Sequence, residues 1–168
     1  MEQENVQVTF GELPSEINGG QDGKNKDISE QKGEDAYAKS VERLFESYKR
    51  FQTSMQDLTK LSLNPGLLLI KLPVVLDDFK HEIEVFRSGD YQVAEVYAEG
   101  HAFIEAGLEK YDEFLVEYPL AMKGKKKLKA MKRIHELGAL SGRADKDLKA
   151  AFYSFSRAIE ESEEGALQ

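Results

Sequence analysis

The chain contains no cysteine and no tryptophan, and only three of its 168 residues are histidine. The absence of cysteine excludes disulfides, thiolate nucleophiles and cysteine-ligated metal sites. His81, His101 and His135 all lack the upstream glutamate of the Glu-x-x-His motif, which di-iron carboxylate bundles require. We therefore expect no metal ion and no other cofactor.

The short motifs of the common active sites are missing as well. Residues 19–24 contain glycine and lysine, but they have neither the spacing nor the Ser/Thr of a phosphate-binding loop. The chain has no Gly-x-Ser-x-Gly elbow and no HExxH sequence. With so few candidates for acid–base or nucleophilic chemistry, we expect a protein that is not an enzyme.

Long hydrophobic runs and targeting signals are also absent. The first ten residues contain neither a basic region nor an apolar core of the kind that begins a signal peptide. The longest apolar run, residues 66–76, is interrupted by Lys71 and Pro73 and is too short to span a bilayer. These features predict an intracellular, soluble, cytoplasmic protein without a membrane span.

Residues 1–34 form a segment of distinct composition, rich in Glu, Gln, Asn, Gly, Asp and Lys. Such a segment buries too little apolar surface to offset the entropy of ordering it, so we expect a flexible acidic arm. Within it, apolar and polar residues alternate in a short strand-like peptide suited to docking on a partner's sheet edge. Its apolar residues are Val6, Val8, Phe10, Leu13 and Ile17. A fortuitous alternation in a flexible tail is the alternative interpretation.

Residues 35–164 predict an all-α domain: an elongated antiparallel bundle of about five helices. Asn64-Pro65 is a helix start signal, whereas Pro73 and Pro119 should break helices and Gly138 should end one. The expected helices run from residue 34 or 35 to 61, 73 to 89, 90 to 118, 125 to 137 and 145 to 164.

Two stretches repeat apolar residues at alternating four- and three-residue spacing, which is typical of coiled-coil-like packing. The predicted helix-pairing seam contains Leu44, Tyr48, Phe51, Met55, Tyr97, Ile104, Leu108 and Tyr111. Beside it, Ser40, Ser47 and Ser54 in one stretch correspond to Gly100, Gly107 and then the large Phe114 in the other. Small residues in register favour a close antiparallel pair between the first and third predicted helices.

Positive charge is concentrated in residues 119–149, which contain ten Lys or Arg and only three acidic residues, although the whole chain has a net charge of −8. The candidate contact residues are Lys123, Lys125, Lys126, Lys127, Lys129, Lys132 and Arg133. They suit the phosphates of a nucleic acid, an anionic membrane or an acidic protein groove. Alternatively, they pair with the acidic side chains of the third predicted helix, Glu105, Glu109, Asp112, Glu113 and Glu117.

These features favour a non-enzymatic structural or adaptor protein that docks on a protein partner or assembly through its arm and helical faces. Self-association through leftover seam surface is a second expectation. An arm joined to an acidic bundle resembles, in general style only, small assembly proteins such as virion accessory proteins; no motif ties the chain to a family. The alternatives are a nucleic-acid-associated accessory factor that uses the lysine cluster, or an acidic inhibitor that mimics nucleic acid.

Overall fold

The computed structural model describes residues 28–61, 63–124 and 127–167. These residues form four α-helices and one 3-10 turn, with no strand among them. The helices are α1 Ile28–Thr59, α2 Pro65–Arg87, α3 Ala98–Lys123 and α4 Leu128–Ala166, and the 3-10 turn is Glu95–Tyr97. The all-α prediction is confirmed. The predicted docking peptide, Val6, Val8, Phe10, Leu13 and Ile17, lies outside the described residues.

The number of helices differs from the prediction because tertiary packing overrides the local break signals. Gly138 lies inside α4, so the fourth and fifth predicted helices are one continuous helix. Pro73 and Pro119 likewise lie inside α2 and α3. Pro73 is exposed, while its neighbours Leu72 and Leu76 are buried. Burial of the apolar side chains on the inner face of each helix offsets the roughly 1 kcal/mol cost of a helical glycine and the larger cost of a proline.

Adjacent helices run antiparallel, as pairs of cross-helix contacts show. Arg43 of α1 binds Glu82 of α2 at 2.7 Å. Phe51, which follows Arg43 in α1, stacks on Phe79, which precedes Glu82 in α2. From α2 to α3, Phe86 contacts His101 while Phe79 contacts Tyr111. From α3 to α4, the ion pairs Glu99–Arg157 and Glu113–Arg133 run in the same antiparallel sense. The chain therefore forms an up-down-up-down bundle.

Helices α1 and α3 lie diagonally across this bundle and run in the same direction. Tyr37 contacts His101, and Tyr48, further along α1, contacts Tyr111, further along α3. The predicted antiparallel pair between these two helices is therefore wrong. Long aromatic side chains, rather than close backbones, join α1 to α3. Heptad-type packing stays a prediction.

The small residues beside the seam do not make the predicted contact between α1 and α3. A Cβ added at Gly100 would lie 2.7 Å from Cε1 of Phe155, and one at Gly107 would lie 3.0 Å from Cγ of Leu148. Both neighbours belong to α4, so the two glycines bring α3 close to α4. On α1, Ser40 and Ser47 donate hydrogen bonds to carbonyl oxygens of their own helix.

The two ends of the bundle are built differently. One end, which we call the aromatic end, is filled by rings that contact one another. It contains Tyr37, Phe86, Tyr91, Tyr97, His101 and Phe155. The loop between α2 and the 3-10 turn folds back on α1, where the N–H of Gln92 donates to the carbonyl of Gly33 at 3.2 Å. This end is thus closed by side chains and backbone together.

Candidate functional site

The opposite end of the bundle, which we call the basic end, combines two sequence segments that lie far apart in the chain. The α1–α2 connection and the α3–α4 connection both lie at this end because adjacent helices alternate in direction. Asn64 caps α2 by accepting a hydrogen bond from the N–H of Leu67 at 3.2 Å, and Pro65 occupies the first turn. This cap and proline fix where α2 begins.

Four lysines of the predicted cluster are exposed at the basic end: Lys123, Lys127, Lys129 and Lys132. Lys123 ends α3, Lys127 precedes α4, and the other two lie in the first two turns of α4. Within the described part of the chain, none of the four forms an ion pair. Lys125 and Lys126 lie outside the described residues.

Arg133 differs from these lysines because it is held by acidic neighbours. Its guanidinium lies 2.9 Å from Glu113, 3.6 Å from Glu136 and 4.0 Å from Glu117. The hydrogen bond to Glu113 raises the pKa of Arg133 above the ordinary arginine value. Pairing with the acidic residues of α3 is therefore seen for Arg133, while the four described lysines remain solvated.

Apolar side chains are exposed at the same end of the bundle, on three helices and in the α1–α2 connection. Of the twelve large hydrophobic residues exposed in the described chain, eight lie at the basic end. They are Leu63, Leu69, Ile70, Val74, Val116, Leu120, Leu128 and Met131. All lie within about 14 Å of the loops, measured along the helix axes. Single exposed hydrophobic residues are ordinary on a protein surface, whereas eight of the twelve lie at this one end.

Leu63 and Leu128 are the outermost members of this set. Leu63 lies in the α1–α2 connection and is 97% exposed, and Leu128 is the first residue of α4 and is 82% exposed. On α3, the exposed residues Val116, Leu120 and Lys123 follow one another at helical spacing toward the end of the helix. The basic end therefore presents aliphatic and cationic groups side by side.

A polar cluster in the middle of the core is the main feature that the sequence pattern did not predict. Asp145 of α4 accepts hydrogen bonds from the hydroxyls of Tyr48 and Tyr111, and Gln52 donates to the Tyr48 oxygen at 2.7 Å. Burial, together with the nearby Asp145 carboxylate, raises the pKa of both tyrosines. Tyr48 and Tyr111 are buried, whereas Asp145 and Gln52 are half-buried. The cluster joins α1, α3 and α4, and satisfied hydrogen bonds of this kind specify one arrangement of helices.

A second polar contact lies at the aromatic end. The Tyr37 hydroxyl is 3.1 Å from Nδ1 of His101, and burial is the main cause of the raised pKa of Tyr37. His101 is half-buried within the ring cluster. The histidine that interrupts the apolar pattern therefore has a structural partner in Tyr37.

The predicted seam residues lie in or beside the core. Met55 and Tyr97 are half-buried, and the others are buried. Tyr48 and Phe51 both contact Tyr111, with ring centroids 6.1 and 5.6 Å apart.

Elsewhere on the surface, a hollow between α1 and α2 is open to solvent and is lined in part by Arg43, Glu82 and Phe86. Arg43 and Glu82 bind each other through contacts of 2.7 and 3.0 Å, and this pairing lowers the pKa of Glu82. Among the described residues, no cluster of His, Asp and Glu could hold a metal ion. Absence of a cofactor and of enzymatic activity stay predictions.

Within the described ranges, no helix is both long and apolar enough to cross a membrane. Comparisons with protein-family models, curated proteins and solved structures found no match to this chain.

Proposed function

We propose that this chain is a non-enzymatic adaptor whose basic end docks on an anionic surface of its partner. The observation that carries this proposal is the convergence of four solvated lysines and eight exposed apolar side chains at one end of the bundle. A surface of this composition costs solubility in isolation and is expected where a partner covers it.

Charge distribution supports an oriented mode of docking. Residues 119–149 carry an excess of positive charge, whereas the whole chain has a net charge of −8. An anionic surface therefore attracts the basic end and repels the acidic remainder. The outer helix faces away from the basic end would then be free to bind a second protein or a second copy of the chain.

Retention on immobilised heparin, a polyanion, tests the proposal. We expect the full-length protein to be retained at low salt at pH 7.5 despite its sequence pI near 5.0. Replacing Lys123, Lys127, Lys129 and Lys132 with glutamine should abolish retention, because each lost cationic contact weakens binding to a polyanion.

The control variant replaces four exposed lysines outside the basic end, Lys32, Lys39, Lys49 and Lys80, with glutamine. It changes net charge by the same amount, so a general charge effect would weaken retention equally in both variants. Retention in the control variant and loss in the basic-end variant support the proposal. Absence of retention in the unmodified protein, or equal loss in both variants, would contradict it.

A nucleic-acid-associated accessory factor is the second candidate, because the same four lysines are solvated and accessible. It predicts that labelled duplex or single-stranded oligonucleotides bind with an affinity that falls steeply as salt rises. Insensitivity of that binding to the four basic-end replacements would contradict this candidate.

A further inference from the structure

We infer that the surface on which the basic end docks is a bilayer that contains anionic lipids. This inference rests on the proposed docking function and adds the class of partner. It assigns peripheral binding, in which Leu63 and Leu128 enter the headgroup region and the neighbouring lysines contact lipid phosphates and carboxylates.

The type of apolar side chain at the basic end favours a lipid partner over a nucleic-acid partner. All eight exposed apolar residues there are Leu, Ile, Val or Met, and none is aromatic. Single-stranded nucleic acids are bound largely by stacking on aromatic rings, and specific duplex readout relies on arginine. The described arginine of this end, Arg133, is held by Glu113. Exposed aliphatic groups have no counterpart on a phosphate backbone, whereas they partition favourably into a bilayer interface.

The abundance of lysine separates a lipid from a protein partner. Protein interfaces are depleted in lysine and enriched in tyrosine, tryptophan and arginine. Here the solvated cations are Lys123, Lys127, Lys129 and Lys132. Flexible lysines act as point charges on a diffuse anionic surface, and long aliphatic stems let them lie beside inserted leucines while the ammonium groups stay hydrated.

The shape of the basic end fits shallow insertion. Leu63 and Leu128 lie at the two chain connections, ahead of the other apolar residues. Interfacial elements bury their apolar faces about 5–10 Å below the headgroups. At such a depth the two leucines and Met131 would leave water, and the lysines around them would lie at the level of the phosphates. No helix needs to cross the bilayer in this arrangement.

Co-sedimentation with vesicles tests the inference on the full-length chain. The probes are phosphatidylcholine vesicles with and without roughly one third phosphatidylserine, a content that gives a strongly negative surface. We expect binding to the anionic vesicles and none to pure phosphatidylcholine. The four basic-end lysine-to-glutamine replacements should weaken binding about fivefold per lysine. The double variant Leu63→Ser/Leu128→Ser should weaken it about tenfold or more.

A matched control carries Ile28→Ser and Leu167→Ser, which remove exposed apolar residues outside the basic end. Because these residues take no part in docking, the control should bind anionic vesicles as the unmodified protein does. Equal losses in the control and the Leu63/Leu128 variant would overturn the inference. Vesicle binding that is unaffected by the Leu63/Leu128 replacement would overturn it too.

Retention on heparin together with no binding to anionic vesicles would overturn the lipid inference and leave the docking proposal standing. Tight oligonucleotide binding in that case, with equal affinity in the Leu63/Leu128 variant, would identify a nucleic acid as the partner. Failure of both heparin and vesicle binding would reject the docking proposal itself.

Discussion

The two ends of the bundle differ in how they place their apolar side chains. At the aromatic end, rings from all four helices and the 89–97 loop fill the space between helices, and a backbone hydrogen bond from Gln92 closes the loop on α1. At the basic end, leucines and valines remain in water beside solvated lysines. The difference shows that the chain can bury its apolar groups where stability requires it. The proposed docking gives the exposed groups of the basic end a use other than folding.

The largest expected effect comes from the polar cluster between the two ends, which joins α1, α3 and α4. Asp145→Ala removes the acceptor of the Tyr48 and Tyr111 hydroxyls and leaves them without their partner in the core. We expect the free energy of unfolding to fall by about 3 kcal/mol, measured by urea denaturation. Asp147→Ala, which removes the half-buried partner of Lys110 in a single ion pair, serves as control and should cost about 1 kcal/mol or less. Equal losses would contradict a special role for Asp145.

A pair of glycine replacements compares tight with open packing along the bundle. A Cβ at Gly107 would lie 3.1 Å from the carbonyl oxygen of Ala144, which is part of the α4 backbone, whereas a Cβ at Gly138 meets nothing within 4 Å. Gly138→Ala should raise the free energy of unfolding by about 1 kcal/mol through helix propensity. Gly107→Ala should lower it by about 1 to 3 kcal/mol through overpacking. Stabilisation by both variants would show that α3 and α4 are less closely packed than described.

The buried tyrosines predict a loss of stability at alkaline pH. Burial raises the pKa of Tyr37 in the folded protein, so the stability from keeping it neutral is complete below the unfolded value of about 10 and is lost as pH rises above it. Each such tyrosine contributes a slope of about 1.4 kcal/mol per pH unit. Denaturation between pH 8 and 11 should show a smaller slope for Tyr37→Phe. Tyr153→Phe, at a residue that is 63% exposed, provides the control for the loss of a tyrosine hydroxyl.

The smallest effect on stability is expected at the basic end. Leu63→Ser and Leu128→Ser replace side chains that are almost fully exposed, so each should change the free energy of unfolding by about 0.5 kcal/mol or less. The same leucines are expected to matter for binding. A loss above about 1 kcal/mol in thermal or urea denaturation would mean that they stabilise the fold, and the contrast between the two ends would fail.

Periodicity in the sequence predicted most of the core, while the breaks between helices were harder to predict. The apolar spacing along residues 37–58 identified the face of α1 that is buried, because a helix repeats its faces with a fixed period. Pro73 and Pro119 predict helix breaks and Gly138 predicts a helix end, but long-range burial continues all three helices through them. A proline or glycine in the sequence indicates the free-energy cost of placing that residue in a helix. It does not indicate the tertiary packing that offsets this cost.

The candidate site was predicted only in part, for a related reason. The lysine cluster is contiguous in sequence, so composition alone revealed it. Leu63, Ile70 and Val116 lie far from it along the chain and join it only because the helices alternate in direction. Asp145 was interpreted as the start of a helix, whereas it lies within α4 and accepts hydrogen bonds from two other helices. Such contacts depend on tertiary structure, which no local pattern encodes.

Lysine reactivity, measured residue by residue by mass spectrometry with and without soluble heparin, tests the contrast between the two ends most directly. Lys123, Lys127, Lys129 and Lys132 should become several-fold less reactive when heparin is bound, because their ammonium groups contact the polyanion. Lys39, Lys49 and Lys80, which are exposed elsewhere on the bundle, should keep their reactivity. Uniform protection of all these lysines, or protection confined to Lys39, Lys49 and Lys80, would contradict docking through the basic end.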